Sequence, residues 1–165
     1  MNNKTILEAS KCVNIVVSVA VKDGSDILMV KESKKEVKGL WNFPSGKVNV
    51  GENLIKAAER EALEETGYKI KITDFCFVDH YMWNEGTGIT FRFNFWGKIA
   101  EKEKIMKLAD DVSTTQWISE KELKKLMYEN KLRGPYTERM ARAVLKGQKL
   151  PLTGINSLVN RPQKT

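Results

Sequence analysis

Histidine occurs once among the 165 residues, cysteine twice and proline four times, and each scarcity removes a class of chemistry. His80 has no second histidine or nearby cysteine to build an imidazole or thiolate zinc site, and a strand histidine is usually structural. Cys12 and Cys76 are solitary, without C-x-x-C spacing or a disulfide framework, so both are expected to be small core residues. No stretch approaches the ~20 apolar residues that a membrane helix needs. The first residues, MNNKTILEASKCVN, lack a basic segment followed by an apolar run. The expectation is a cytoplasmic protein with no membrane partner; internal repeats and low-complexity blocks are absent as well.

With 41% hydrophobic and 30% charged residues, the chain has the balance of a globular protein. Its length fits one domain, expected over residues 1–150 with a loosely ordered tail over 151–165. A net charge of +7 would draw in phosphate-rich ligands, although a solvated lysine-rich surface is the simpler explanation.

Val13 to Lys22 is rich in β-branched residues, and Asp23-Gly24 separates it from Ile27 to Lys31, which predicts a hairpin. A charged loop from Glu32 to Pro44 should expose Lys34, Lys35 and Lys38 and suits the lip of a site. From Asn53 to Thr66 the period turns helical, with Ile55, Ala58 and Ala62 on one face and Gly67 as the left-handed stop. Phe75, Phe77, Asp79, Tyr81 and Trp83 then alternate with Cys76, Val78, His80 and Met82. After NEGTG, Phe91, Phe93 and Phe95 alternate with Arg92, Asn94 and Trp96, predicting a second, longer hairpin. A short strand is expected over Thr114 to Ile118, a helix capped by Ser119 and Glu122 reaching about Tyr128, and a last helix from Pro135 to Lys146. This order predicts an α/β protein, a mixed β-sheet covered by helices on its faces.

Glu61, Glu64 and Glu65 stand at i, i+3 and i+4, so they leave the helix within an arc of about 100°. Like charges at these spacings cost ~0.2–0.5 kcal/mol per pair, a penalty that a cation among them would remove. Oxygen-only ligands favour magnesium or manganese. Taken alone, such a helix is usually a solvated face, with Arg60 pairing to Glu64.

The setting changes that reading. Gly46, Glu52, Arg60-Glu61, Glu64-Glu65 and Gly67, with Ala62 and Tyr68 between and after them, resemble the Nudix box, G-x5-E-x7-R-E-U-x-E-E-x-G-U. All seven fixed positions match, which at about 7% usage per residue type has a chance on the order of 10⁻⁸ at a given start. Leu40 to Lys47 is similar to the strand and loop that lead into the box, with Ser45 in place of the usual glycine. Ala62 and Tyr68 depart mildly from the common large aliphatics.

The resemblance implies the Nudix fold, an α/β/α sandwich, over roughly Val13 to Lys146, and a Mg2+-dependent (or Mn2+-dependent) pyrophosphohydrolase. It implies that Glu61, Glu64 and Glu65 bind metal, that Gly46 offers its carbonyl, and that Arg60 orients the glutamates. Glu52 lies before the helix, where it either reaches the metal site or pairs with Arg60. The general base is open among Glu61, Glu64, Asp110 and Asp111, with the helix favoured. Arg92 and Asn94 either line a phosphate-binding cleft or occupy a surface strand face. Tyr81 and Trp83 would sandwich a base, although aromatics at this spacing are more often core.

No proline lies between Pro44 and Pro135, so the proline of ADP-ribose-type enzymes is missing, and the tyrosine of dinucleoside polyphosphate enzymes is not evident. Gln116-Trp117-Ile118 and Leu132-Arg133-Gly134-Pro135 are similar to small phosphatases acting on nucleoside di- and triphosphates and a thiamine-precursor pyrophosphate. A small nucleotide or organic pyrophosphate is therefore the expected substrate. The alternatives are an RNA 5′-end pyrophosphohydrolase and a non-catalytic nucleotide-binding module. Oligomeric state is not legible in the sequence.

Overall fold

In a computed structural model, residues 12–83, 88–101 and 112–155 are described, without the side chains of Cys12 and Trp83. The strands are β1 Cys12–Asp23, β2 Asp26–Glu32, β3 Trp41–Asn42, β4 Ser45–Lys47, β5 Ile70–Trp83, β6 Gly88–Ile99 and β7 Val112–Ser119. The helices are α1 Leu54–Thr66, α2 Glu120–Tyr128 and α3 Pro135–Leu145.

The strands form a mixed sheet in the order β3-β2-β1-β6-β5, with β4 added to β1 and β7 to β2. β1 and β6 run parallel, in register from Cys12 opposite Gly88 to Val21 opposite Gly97. The other pairings are antiparallel. The first predicted hairpin forms, but β1 and β2 pair only at Lys22 with Ile27 and Asp23 with Asp26. Beyond the turn they part, β1 toward β4 and β6 and β2 toward β3 and β7.

Two cores follow from the two faces. On one, Val17, Val19, Phe95, Ile70 and Ile72 pack with Ala57, Ala58 and Ala62 of α1. On the other, Ala20, Cys76 and Trp96 pack with Leu123 and Leu126 of α2 and Met140, Ala141 and Val144 of α3. The layers are the α/β/α sandwich of the resemblance.

α1 begins where Asn53 Oδ1 accepts the N–H groups of Ile55 (2.8 Å) and Lys56 (3.3 Å). It ends at Gly67, whose φ of 76° is left-handed. The alanines let α1 lie close against the sheet.

β5 departs from the expected alternation. Bulges between Ile72 and Asp74 and between Phe75 and Phe77 shift its register against β6. Phe75 consequently packs into the α1-side core and Phe77 into the opposite one, although unbroken alternation places them on one face. The loop after Glu32 also holds more structure than expected: a 3-10 turn over Lys35–Val37 and the short strands β3 and β4. Lys34, Lys35 and Lys38 are exposed there. At the C-terminal end, Leu150 exchanges backbone hydrogen bonds with Phe75, and Leu152 and Ile155 pack against the α1-side core.

Candidate active site

The face of α1 that meets β4 carries the acidic group, and Arg60 organises it. Its Nε donates to Glu52 Oε1 and its Nη2 to Glu52 Oε2, both at 2.8 Å. Nη1 donates to Glu61 Oε1 (2.7 Å) and Glu64 Oε2 (3.2 Å), and Nη2 also to the Lys47 carbonyl (3.0 Å). Of the two roles open to Glu52, the structure shows the pairing with Arg60. Hydrogen bonding to Arg60 holds the Glu52 carboxyl below its ordinary pKa, against the opposing effect of burial. The same contact, with Glu61 adding to it, raises the Arg60 guanidinium above its usual value.

Glu65 is only 7% exposed, and its Oε2 accepts the Ser45 N–H at 2.8 Å. Glu61 lies against Gly46 so closely that a Cβ built there would stand 2.0 Å from the Glu61 Cδ. Only glycine admits that approach. Glu64 is the outer member, its side chain 45% exposed, and its Oε2 accepts from Arg60.

Glu61, Glu65 and Gly46 line a cavity of about 530 Å³. Val16, Thr90 and Arg92 contribute from β1 and β6, and Tyr81 from β5. Lys34 comes from the loop after β2, Lys47 from β4, Arg133 from the turn before α3 and Tyr136 from its first turn. Carboxylates and cations thus share one concavity, whose basic side suits a polyanion and whose acidic side suits a cation. Among the described residues, no three His, Cys, Asp or Glu side chains are grouped to hold a metal alone. Two carboxylates beside open space nevertheless suit magnesium, which takes one or two carboxylates and fills its other positions with water and phosphate. The residues present fit that ion.

The other expected residues are placed as follows. Arg92 is buried at 5% exposure, lines the cavity, and sets its guanidinium 4.3 Å over the Tyr136 ring. Asn94 is fully buried and not a cavity residue; its Nδ2 donates to Asp79 Oδ2 at 3.2 Å. The open surface face considered for this pair is not what forms, because α3 covers that side of β6. Tyr81 stacks on Tyr136 with centroids 5.6 Å apart and planes 14° from parallel. The Trp83 side chain, Asp110 and Asp111 lie outside the described residues.

Five residues of the site escaped the sequence reading of roles: Glu32, Ser45, Lys47, Arg133 and Tyr136. Glu32 is 4% exposed and accepts Asn42 Nδ2 (3.0 Å) and Arg133 Nη1 (2.9 Å). Its only sequence signal is a carboxylate ending the apolar run ILMVK.

Residues 13–140 match the family model described as the NUDIX domain. The chain is 28% identical over 139 residues to phosphatase NudJ of Shigella boydii, covering 84% of this chain and 88% of that protein. It is 35% identical over 94 residues to an 8-oxo-dGTP diphosphatase of Buchnera aphidicola, covering 56% and 72%. It spans only 27% and 16% of the lengths of two longer curated relatives. Among solved structures, a NUDIX hydrolase from Nitrosomonas europaea superposes with a TM-score of 0.80 at 23% identity, over 90% of this chain and 99% of that one.

Proposed function

The chain belongs to the NUDIX family, and from that premise we propose that it is a magnesium-dependent hydrolase of the phosphoanhydride bond in a nucleoside di- or triphosphate or a related small organic pyrophosphate. The observation that carries this reading is the sharing of one cavity by the carboxylates Glu61 and Glu65 and the cations Lys34, Lys47, Arg92 and Arg133. The relatives support the substrate class, one being named for 8-oxo-dGTP and another as a phosphatase.

Glu61, Glu65 and the Gly46 carbonyl would hold the ion, with Glu64 at its outer margin. Bound magnesium would supply a lowered pKa for water and neutralisation of phosphate charge. The protein's own groups do the rest. Arg60 fixes Glu61 and Glu64 in place, and the Ser45 N–H fixes Glu65, so the carboxylates need no reorganisation when substrate arrives. A helix glutamate, Glu61 or Glu64, accepts the proton as water oxygen bonds to phosphorus and the bridging oxygen leaves with the second phosphate. The basic side of the cavity stabilises the equatorial oxygens during this exchange.

The test is release of phosphate and pyrophosphate from nucleoside di- and triphosphates, other organic pyrophosphates and 5′-triphosphate RNA, with magnesium or with EDTA, for the wild type and Glu64→Gln. Turnover that needs magnesium and falls in Glu64→Gln on a small substrate upholds the reading. Turnover confined to RNA and weakening steeply with salt would move the substrate class to RNA ends. Tight nucleotide binding without turnover anywhere would make the chain a binding module.

A further inference from the structure

We propose that Arg92 and Arg133 form a two-point grip for linked phosphates, and that buried Glu32 is the positioning residue that aims Arg133 into the cavity. The substrate class rests on the hydrolase reading above; the assignment of residues rests on geometry.

Arg92 is 5% exposed, and its Nε has no hydrogen-bond partner. Among the described residues its guanidinium stacks on Tyr136 and makes no close ion pair; the charge of Asp79 reaches it only at longer range. The neighbouring acid across the sheet, Asp79, is occupied by Asn94 Nδ2 at 3.2 Å and Arg139 Nε at 3.1 Å. A buried guanidinium left in this state is unfavourable unless an anion joins it, and the cavity it lines is open to one.

Arg133 is the second half. Nη1 donates to Glu32, and its Nε is buried without a partner. Glu32 is itself fixed: Asn42 Nδ2 donates to the same Oε1 at 3.0 Å and to Ser45 Oγ at 3.1 Å, while Asn42 Oδ1 accepts from Thr137 Oγ1 at 2.9 Å. Ser45 in turn gives its N–H to Glu65. One buried chain of hydrogen bonds therefore sets both a cation for phosphate and a carboxylate of the acidic face. A planar guanidinium fork matches one phosphate, and two forks match two. The grip selects a diphosphate over a lone phosphate.

The full-length protein would be titrated calorimetrically with imidodiphosphate, a non-hydrolysable diphosphate, and with orthophosphate, in magnesium. Wild type should bind imidodiphosphate the more tightly. Arg92→Gln and Arg133→Gln should each weaken imidodiphosphate at least about tenfold while changing orthophosphate by less than about threefold. Arg133→Lys should recover part of the loss. Glu32→Gln should weaken imidodiphosphate in parallel with Arg133→Gln while changing orthophosphate by less than about threefold, a split that simple destabilisation would not produce. Should Arg92→Gln fail to fold, Arg133→Gln and Glu32→Gln decide. Imidodiphosphate binding within about twofold of wild type in Arg133→Gln, or equal losses for both anions, would overturn the grip. Wild-type turnover with such unaffected binding would leave the hydrolase reading standing without it. Arginine-dependent imidodiphosphate binding without turnover would uphold the grip and sink the hydrolase.

Discussion

Gly46→Ala tests whether the close approach of β4 to α1 sets the chemistry. The added methyl would stand 2.0 Å from Glu61 Cδ and Oε2 and 2.3 Å from Oε1, where ordinary contact begins at 3.4 Å. The carboxylate must retreat by about 1.4 Å, and it is tethered to Arg60 Nη1 at 2.7 Å, so the clamp is strained or lost with it. A misplacement of about 1 Å at reacting groups can cost ~10²-fold in rate. The fold should suffer less, because Glu61 is a long side chain at the cavity's edge; overpacking of this kind costs ~1–3 kcal/mol, roughly 2–12 °C in Tm for a chain of this size. Steady-state kinetics with magnesium on the best substrate of the panel, run beside thermal melts, should show kcat down about a hundredfold with KM changed by less than about threefold. A folded Gly46→Ala protein with kcat within about threefold of wild type would show that the position of Glu61 does not govern the reaction.

Other perturbations follow from the same contacts. Arg60→Ala removes the donors to Glu52, Glu61, Glu64 and the Lys47 carbonyl, and with them the cation that the three carboxylates share. At 27% side-chain exposure the loss should be about 2–3 kcal/mol by urea unfolding, with activity down more than about tenfold. The Glu52 carboxyl is held below its ordinary 4.5 by Arg60, so its charged form stabilises the fold. That contribution is complete above pH 4.5 and disappears as pH falls through the depressed value. Melting curves from pH 7 down to about 3 should show a shallower acid-side decline for Glu52→Gln than for wild type. Removing residues 151–165 deletes Leu152 and Ile155 from the α1-side core and should lower stability by about 1–2 kcal/mol, read from the urea midpoint. An unchanged midpoint would show that the tail contributes nothing.

The acidic helix was legible because its signals are local. Asn53 and Gly67 bound it, the alanines mark the buried face, and the glutamates recur at helical spacing, so each inference needed only neighbours within a turn or two. The same holds for α2, whose Ser119 hydroxyl accepts the Glu122 N–H. β5 was misread because a bulge adds a residue to one strand without any mark in composition; Phe75 and Phe77 look equivalent until pairing with β6 puts them in different cores.

The cavity was harder to see for a reason rooted in β6. Period-two alternation separates Phe93 and Phe95 from Arg92, Asn94 and Trp96, but it cannot say which face water reaches. An antiparallel hairpin with one solvated face would put Arg92 and Asn94 outside. Here helices cover both sides, so the polar set is buried as well as Phe95 of the apolar one, with Asn94 at 0% and Arg92 at 5% exposure. A sheet with two covered faces ordinarily reads as apolar on both, and burying an arginine there is tolerable only where charge or a ligand meets it. The polar residues on that face therefore locate the cavity, through a conflict between their chemistry and their burial that only tertiary structure exposes. Glu32 repeats the argument on β2: its carboxylate ends an apolar strand and looks like the first residue of a solvated loop. The chain places Arg133, 101 positions away, beside it.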